Sequence, residues 1–128
     1  MLHVTGITAA VCALIYLGLS YHVVQRRAGA GISLGDGGDA EMLARVRTHA
    51  NFGEYVPLIL ILMALIELQQ GAPAPLALYA AGATLIVARL AHILGMHRPS
   101  PNPFRIAGTA LTWTLLGLLG LWLLASSL

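Results

Sequence analysis

The sequence predicts an all-α integral membrane protein: one four-helix transmembrane bundle over residues 1–128, on three observations. The chain is 58% hydrophobic and 9% charged, against roughly 45–50% and about 25% in an average soluble domain, so water could not cover its surface. Four stretches with few or no charges are each long enough to cross a hydrocarbon core of about 30 Å. The seven basic residues, all arginine, fall in or beside two of the three connections. This pattern excludes a disordered chain and a soluble α/β enzyme. It also excludes a disulfide scaffold, because Cys12 is the single cysteine and lies in an apolar run. A net charge of +2 is too small to suggest nucleic acid.

The first helix is expected over about residues 3–26, because residues 4–21 carry no charge. A cleaved signal peptide is the competing reading. No basic segment precedes the run, however, and no small-residue cleavage site closes it before Tyr21 and His22. Gly35-Asp36-Gly37-Gly38-Asp39 then marks a polar loop, with Asp39 able to cap the next helix and Glu41 placed in its first turn. The second helix is expected over about residues 40–69. Its first half carries Arg45, Arg47, His49, Asn51 and Glu54, and its second half is almost wholly apolar. At about 1.5 Å per residue it makes a rod of about 43 Å, which reaches past the hydrocarbon edge. Pro73 and Pro75 make the next connection a short turn. The third helix, about residues 75–96, carries Arg89 and His92 near its far end. Pro99, Pro101 and Pro103 keep the following segment from being helical throughout. The fourth helix is expected over about residues 104–127, since residues 106–128 are uncharged.

Four spans put both termini on one side, and the positive-inside rule places loops one and three in the cytoplasm and the termini outside. Ionisable groups at membrane depth mark function or buried pairing. Arg47, Asn51 and Glu54, spaced four and three apart, share one helix face as a ladder of cation, amide and anion. Two readings are open for it: a binding site, or charges that neutralise neighbouring helices. Arg89 and His92 form a second pair at similar depth, with Arg89 a candidate partner for Glu54. No metal site is expected: His92 and His97 are five apart, and Cys12 reads as a small hydrophobe.

The run Arg47-x-His49-Ala50-Asn51-Phe52-Gly53-Glu54-Tyr55-Val56-Pro57 resembles the signature of the MAPEG superfamily, membrane-associated proteins in eicosanoid and glutathione metabolism. The resemblance covers essentially the whole chain, including the Gly-Asp-Gly-Gly loop and Arg89-Leu90-Ala91-His92 on the third helix, and it looks most like bacterial members. It implies a homotrimer in a bacterial inner membrane, with glutathione bound between adjacent subunits near the cytoplasmic face. The family's glutathione-contacting arginine, asparagine and glutamate fall on Arg47, Asn51 and Glu54. The helix-three histidine of a prostaglandin synthase member falls on His92, and the thiol-activating arginine that opens helix four falls on Arg105. An arginine ending helix one falls on Arg26 or Arg27, and His49, Tyr55 and Arg89 complete the implied cofactor-binding set. Met96 replaces a tyrosine of those relatives and Ile106 a serine, so two hydroxyls of the prostaglandin synthase site are missing.

The residue chemistry suits that ligand. Glutathione brings two carboxylates, an ammonium and a thiol, which call for guanidinium forks, one carboxylate and a cation by the sulfur. A free thiol titrates near about 8.5, and an adjacent arginine lowers that value. The resemblance therefore implies a glutathione-dependent transferase or peroxidase, of detoxification type, acting on lipophilic electrophiles that arrive through the bilayer. Trp113 and Phe104 are candidate contacts for them. The alternatives are a non-catalytic lipid-binding or scaffold member and a small four-helix drug exporter. The exporter needs a carboxylate in its first span, where this chain has none.

Overall fold

The computed structural model describes residues 1–128 and contains four helices and no strand. They are α1 (His3–Ala30), α2 (Ala40–Gln70), α3 (Leu76–Met96) and α4 (Pro103–Ser127), each long and apolar enough to cross a membrane. The four-helix membrane bundle read from the sequence is therefore what the chain forms. α1 packs mainly on α2 and α3 mainly on α4, while α2 touches every other helix and α1 does not meet α4. Along the central seam, Ile59, Met63 and Ile66 of α2 and Leu78 and Leu85 of α3 are fully buried. Cys12 of α1 and Leu115 and Leu119 of α4 pack against the same cluster. Only 26 of 128 residues are buried in all, and Leu14, Ile61, Val87, Leu118 and Leu121 project outward. A bilayer covers such a surface at no hydrophobic penalty.

The first helix runs four residues past its expected end at 26. Arg26 and Arg27 belong to its last turns, and it stops where Gly31 takes φ 65°, a left-handed conformation open to glycine. The start of α1 is capped from outside itself: Glu67, on the last turn of α2, accepts from the Val4 and Thr5 N–H groups at 2.9 and 2.8 Å. Glu67 is 3% exposed. One carboxylate thus satisfies two N–H groups that a helix start leaves without intrahelical partners.

Candidate functional site

The polar residues gather at the end of the bundle where α1 and α3 finish and α2 and α4 begin. Asp39 starts α2 by accepting from the Met42 N–H at 2.6 Å, and the same carboxylate pairs with Arg26 of α1. The Arg26 guanidinium, with the Met42 N–H, holds the Asp39 carboxyl below the usual carboxylate range. Asn102 starts α4: its Oδ1 accepts from the Arg105 N–H at 3.1 Å, while its Nδ2 donates to the Gly95 carbonyl of α3 at 2.6 Å. Pro103 fills the first helical position, where its missing N–H is harmless.

Two glycines then let α3 and α4 close on each other. A Cβ at Gly95 would strike the backbone of Arg105, and one at Gly108 would lie 2.6 Å from the Ala88 carbonyl oxygen and 2.6 Å from the His92 nitrogen. This contact carries Arg105 alongside His92. Together Arg47, Asn51, His92 and Arg105 line a cleft of about 320 Å³, with Ala40, Leu43, Ala44 and Met96 as its apolar wall. Two guanidinium groups face the cleft and no acid does. It is built for an anion.

Behind the cleft, Arg89 is 1% exposed and donates from Nη1 to the Asn51 Oδ1 at 2.9 Å. Arg89 had been a candidate partner for Glu54, but Glu54 instead faces Arg47 on its own helix at 3.8 Å, with both side chains about half exposed. The ladder of α2 is real as a shared face, and its two charges meet each other rather than a neighbouring helix.

Four other residues expected around the ligand do not line this cleft. Arg26 is taken by Asp39. Arg27 donates to the Gly35 carbonyl at 3.0 Å and so holds the first loop. His49 bonds Ser20 at 3.0 Å and stacks on Tyr16 with ring centroids 4.4 Å apart, which fixes α1 to α2. Tyr55 is half-buried one position beyond Glu54. Conversely, Asn102, Gly95 and Gly108 position the site and were missed. Asn before Pro at a helix start is a readable capping signal for the first. Nothing local distinguishes Gly95 and Gly108 from other glycines.

A second groove, of about 340 Å³, shares Arg105 with the cleft and is lined further by Ile106, Thr109, Ala110 and Trp113 together with residues 100–102. Phe104 does not line it and lies under the Arg98 guanidinium, 4.5 Å from the ring centre. Arg105 therefore stands on the ridge between a cationic cleft and a largely apolar groove.

The model of the MAPEG family matches residues 5–125. The chain is 32% identical over 122 residues, 93% of its own length and 91% of the relative's, to inner membrane protein YecN of Escherichia coli strain K12. The protein of that name from Escherichia coli O6:H1 strain CFT073 is similar to the same extent.

Proposed function

The chain belongs to the MAPEG family, and from that premise we propose that it is a glutathione-dependent membrane transferase or peroxidase acting on lipophilic electrophiles. The observation that carries this reading is the double position of Arg105, which borders both the cationic cleft and the apolar groove. A thiol peptide held by its carboxylates in the cleft would present its sulfur at that ridge. An apolar electrophile would reach the same point along α4.

In this mechanism Arg47 and the Asn51 amide bind carboxylate oxygens, and Glu54, the acid on the same face of α2, offers its carboxylate to the ammonium. Arg105 stabilises the thiolate, whose proton passes to water, and the N-terminus of α4 adds its positive end. The sulfur lone pair then forms a bond to the electrophilic carbon. The displaced or ring-opened oxygen takes a proton from solvent, which balances the conjugation.

Two further assignments belong to this reading. Arg47 and Glu54 are half exposed on a membrane-spanning helix, where charges facing lipid are costly, and a homotrimer covers them with a second copy. The membrane is a bacterial inner membrane like that of the relative, with loops one and three cytoplasmic and both termini outside.

Calorimetric titration of the purified protein with glutathione tests the reading, together with the ultraviolet absorbance of the thiolate near neutral pH. Saturable binding with a thiolate band is expected. A folded, assembled protein that binds no glutathione overturns it and favours the non-catalytic lipid-binding alternative.

A further inference from the structure

Arg89 is a buried cation with no anion. It lies behind the cleft, 1% exposed, and it makes no ion pair. Its Nε has no hydrogen-bond partner, and its one side-chain bond goes to the Asn51 Oδ1 at 2.9 Å. Burying a guanidinium with a single neutral acceptor is expensive, in protein or in lipid. A chain that keeps such a group gains something other than stability from it.

The chemistry of the contact says what. A guanidinium has five N–H donors and no acceptor, whereas an asparagine amide has one accepting oxygen and one donating nitrogen. Arg89 can therefore meet Asn51 in one orientation only, with Oδ1 turned toward Arg89. The Asn51 Nδ2 is left on the cleft side, where it makes no hydrogen bond within the chain and is not sealed off. An amide free to flip would offer the cleft either a donor or an acceptor. Locked from behind, it offers donors alone. Arg47 and Arg105 likewise present only N–H groups, so that beside the His92 imidazole the amide adds no second acceptor to repel a carboxylate.

We infer that Arg89 is a positioning residue that locks the Asn51 amide with its NH2 toward the cleft, which makes this part of the cleft selective for carboxylate. This rests on the glutathione reading for the identity of the ligand. It goes beyond that reading in taking Arg89 out of direct contact and giving it a role through another side chain.

The chain contains two asparagines, Asn51 and Asn102, so protein labelled at asparagine shows two side-chain amide signals. Asn102, whose amide bridges Gly95 and Arg105, is the internal control. In Arg89→Gln the Asn51 amide signal should move and its protons exchange faster, while the Asn102 signal stays. An Asn51 signal indifferent to Arg89→Gln overturns the proposal whether or not any ligand binds.

Binding supplies the second arm. Arg89→Gln should weaken glutathione by about tenfold, the size of one well-placed hydrogen bond. The same change in an Asn51→Ala background should add nothing further, because Arg89 acts through Asn51. A persisting effect there means that Arg89 touches the ligand itself and overturns the proposal. Asn51→Asp keeps the fold by giving Arg89 its missing anion, yet replaces the donors with an acceptor. It should melt no lower than the parent and bind glutathione at least about tenfold more weakly. If the parent protein binds no glutathione, the function proposed above fails and the amide spectrum still decides the role of Arg89.

Discussion

Replacing Gly108 by alanine tests the contact that builds the cleft. The added Cβ would lie 2.6 Å from the Ala88 carbonyl oxygen, 2.6 Å from the His92 nitrogen and 2.8 Å from the His92 Cβ. Two of these three neighbours are backbone atoms of α3, which cannot swing aside as a side-chain tip can. To restore ordinary contact near 3.4 Å, α3 and α4 must part by roughly 0.8 Å along this seam. Overpacking of this kind costs about 1–3 kcal/mol, and the better helix propensity of alanine returns about 1 kcal/mol. The variant should therefore lie between neutrality and about 2 kcal/mol below the parent. Gly18→Ala is the matched control, since its Cβ meets nothing within 4 Å. It should gain up to about 1 kcal/mol from propensity alone. Unfolding in detergent micelles gives both differences. The functional loss should exceed the stability loss, because the same displacement moves Arg105 relative to His92, and misplacement near 1 Å can cost about a hundredfold in rate. If Gly108→Ala gains as much stability as Gly18→Ala and keeps its turnover, the close approach of α3 and α4 does not position the site.

Glu54→Gln should weaken glutathione binding by about 1.5–3 kcal/mol, a charge-assisted hydrogen bond lost without loss of shape, and unchanged affinity in an assembled variant would remove Glu54 from the site. Arg105→Ala should bind glutathione within a few-fold of the parent but lose the thiolate band and most turnover near neutral pH. Raising the pH toward about 8.5 should restore part of the rate, and a variant with parental turnover at neutral pH would refute its role. Glu67→Ala leaves the Val4 and Thr5 N–H groups without their acceptor. It should lower stability by about 1–3 kcal/mol without changing glutathione affinity in the folded fraction. For Asp39, the folded carboxyl titrates below its unfolded value because of Arg26. Its contribution is therefore present above about pH 4 and fades as pH falls through the lower folded value. The melting difference between parent and Asp39→Asn should shrink as the pH drops from 6 to 3, and a difference constant over that range contradicts the pairing with Arg26.

What was legible in the sequence is what helix geometry makes local. Arg47, Asn51 and Glu54 share a face because their spacing is four and three, and the Arg47–Glu54 approach at 3.8 Å is a direct product of that spacing. The apolar runs likewise announce their own spans. Contacts between helices are a different matter. Arg89 was read against Glu54, the nearest unmatched charge by depth, and chose Asn51 across a separation of 38 residues. Nothing in spacing tells which face of α3 turns to α2. Glu67 caps α1 only because the start of α1 lies beside the end of α2, 62 and 63 residues along the chain. The first helix was cut short for a related reason: charge served as its boundary, whereas backbone conformation at Gly31 ends it. Gly95 and Gly108 are decisive and Gly117 and Gly120 meet nothing, and no spacing along the chain tells the two kinds apart.

The polar contacts of α1 with α2 reach both of its ends, Glu67 on Val4 and Thr5 at one, and Asp39 on Arg26 at the other, where Arg45 also donates to the His22 carbonyl at 2.8 Å, with the Ser20–His49 bond between them. The 22 residue-to-residue steps from Val4 to Arg26 rise about 33 Å, close to the thickness of a hydrocarbon layer of about 30 Å. Pinned at these two points, α1 can neither slide past α2 nor tilt independently of it. A membrane that is thicker or thinner must be met by leaning the whole molecule or by deforming the surrounding lipid. The pair α1 and α2 is in effect a gauge of fixed length, so performance of the protein in vesicles should peak at one acyl-chain length, and release of either pin should broaden that optimum.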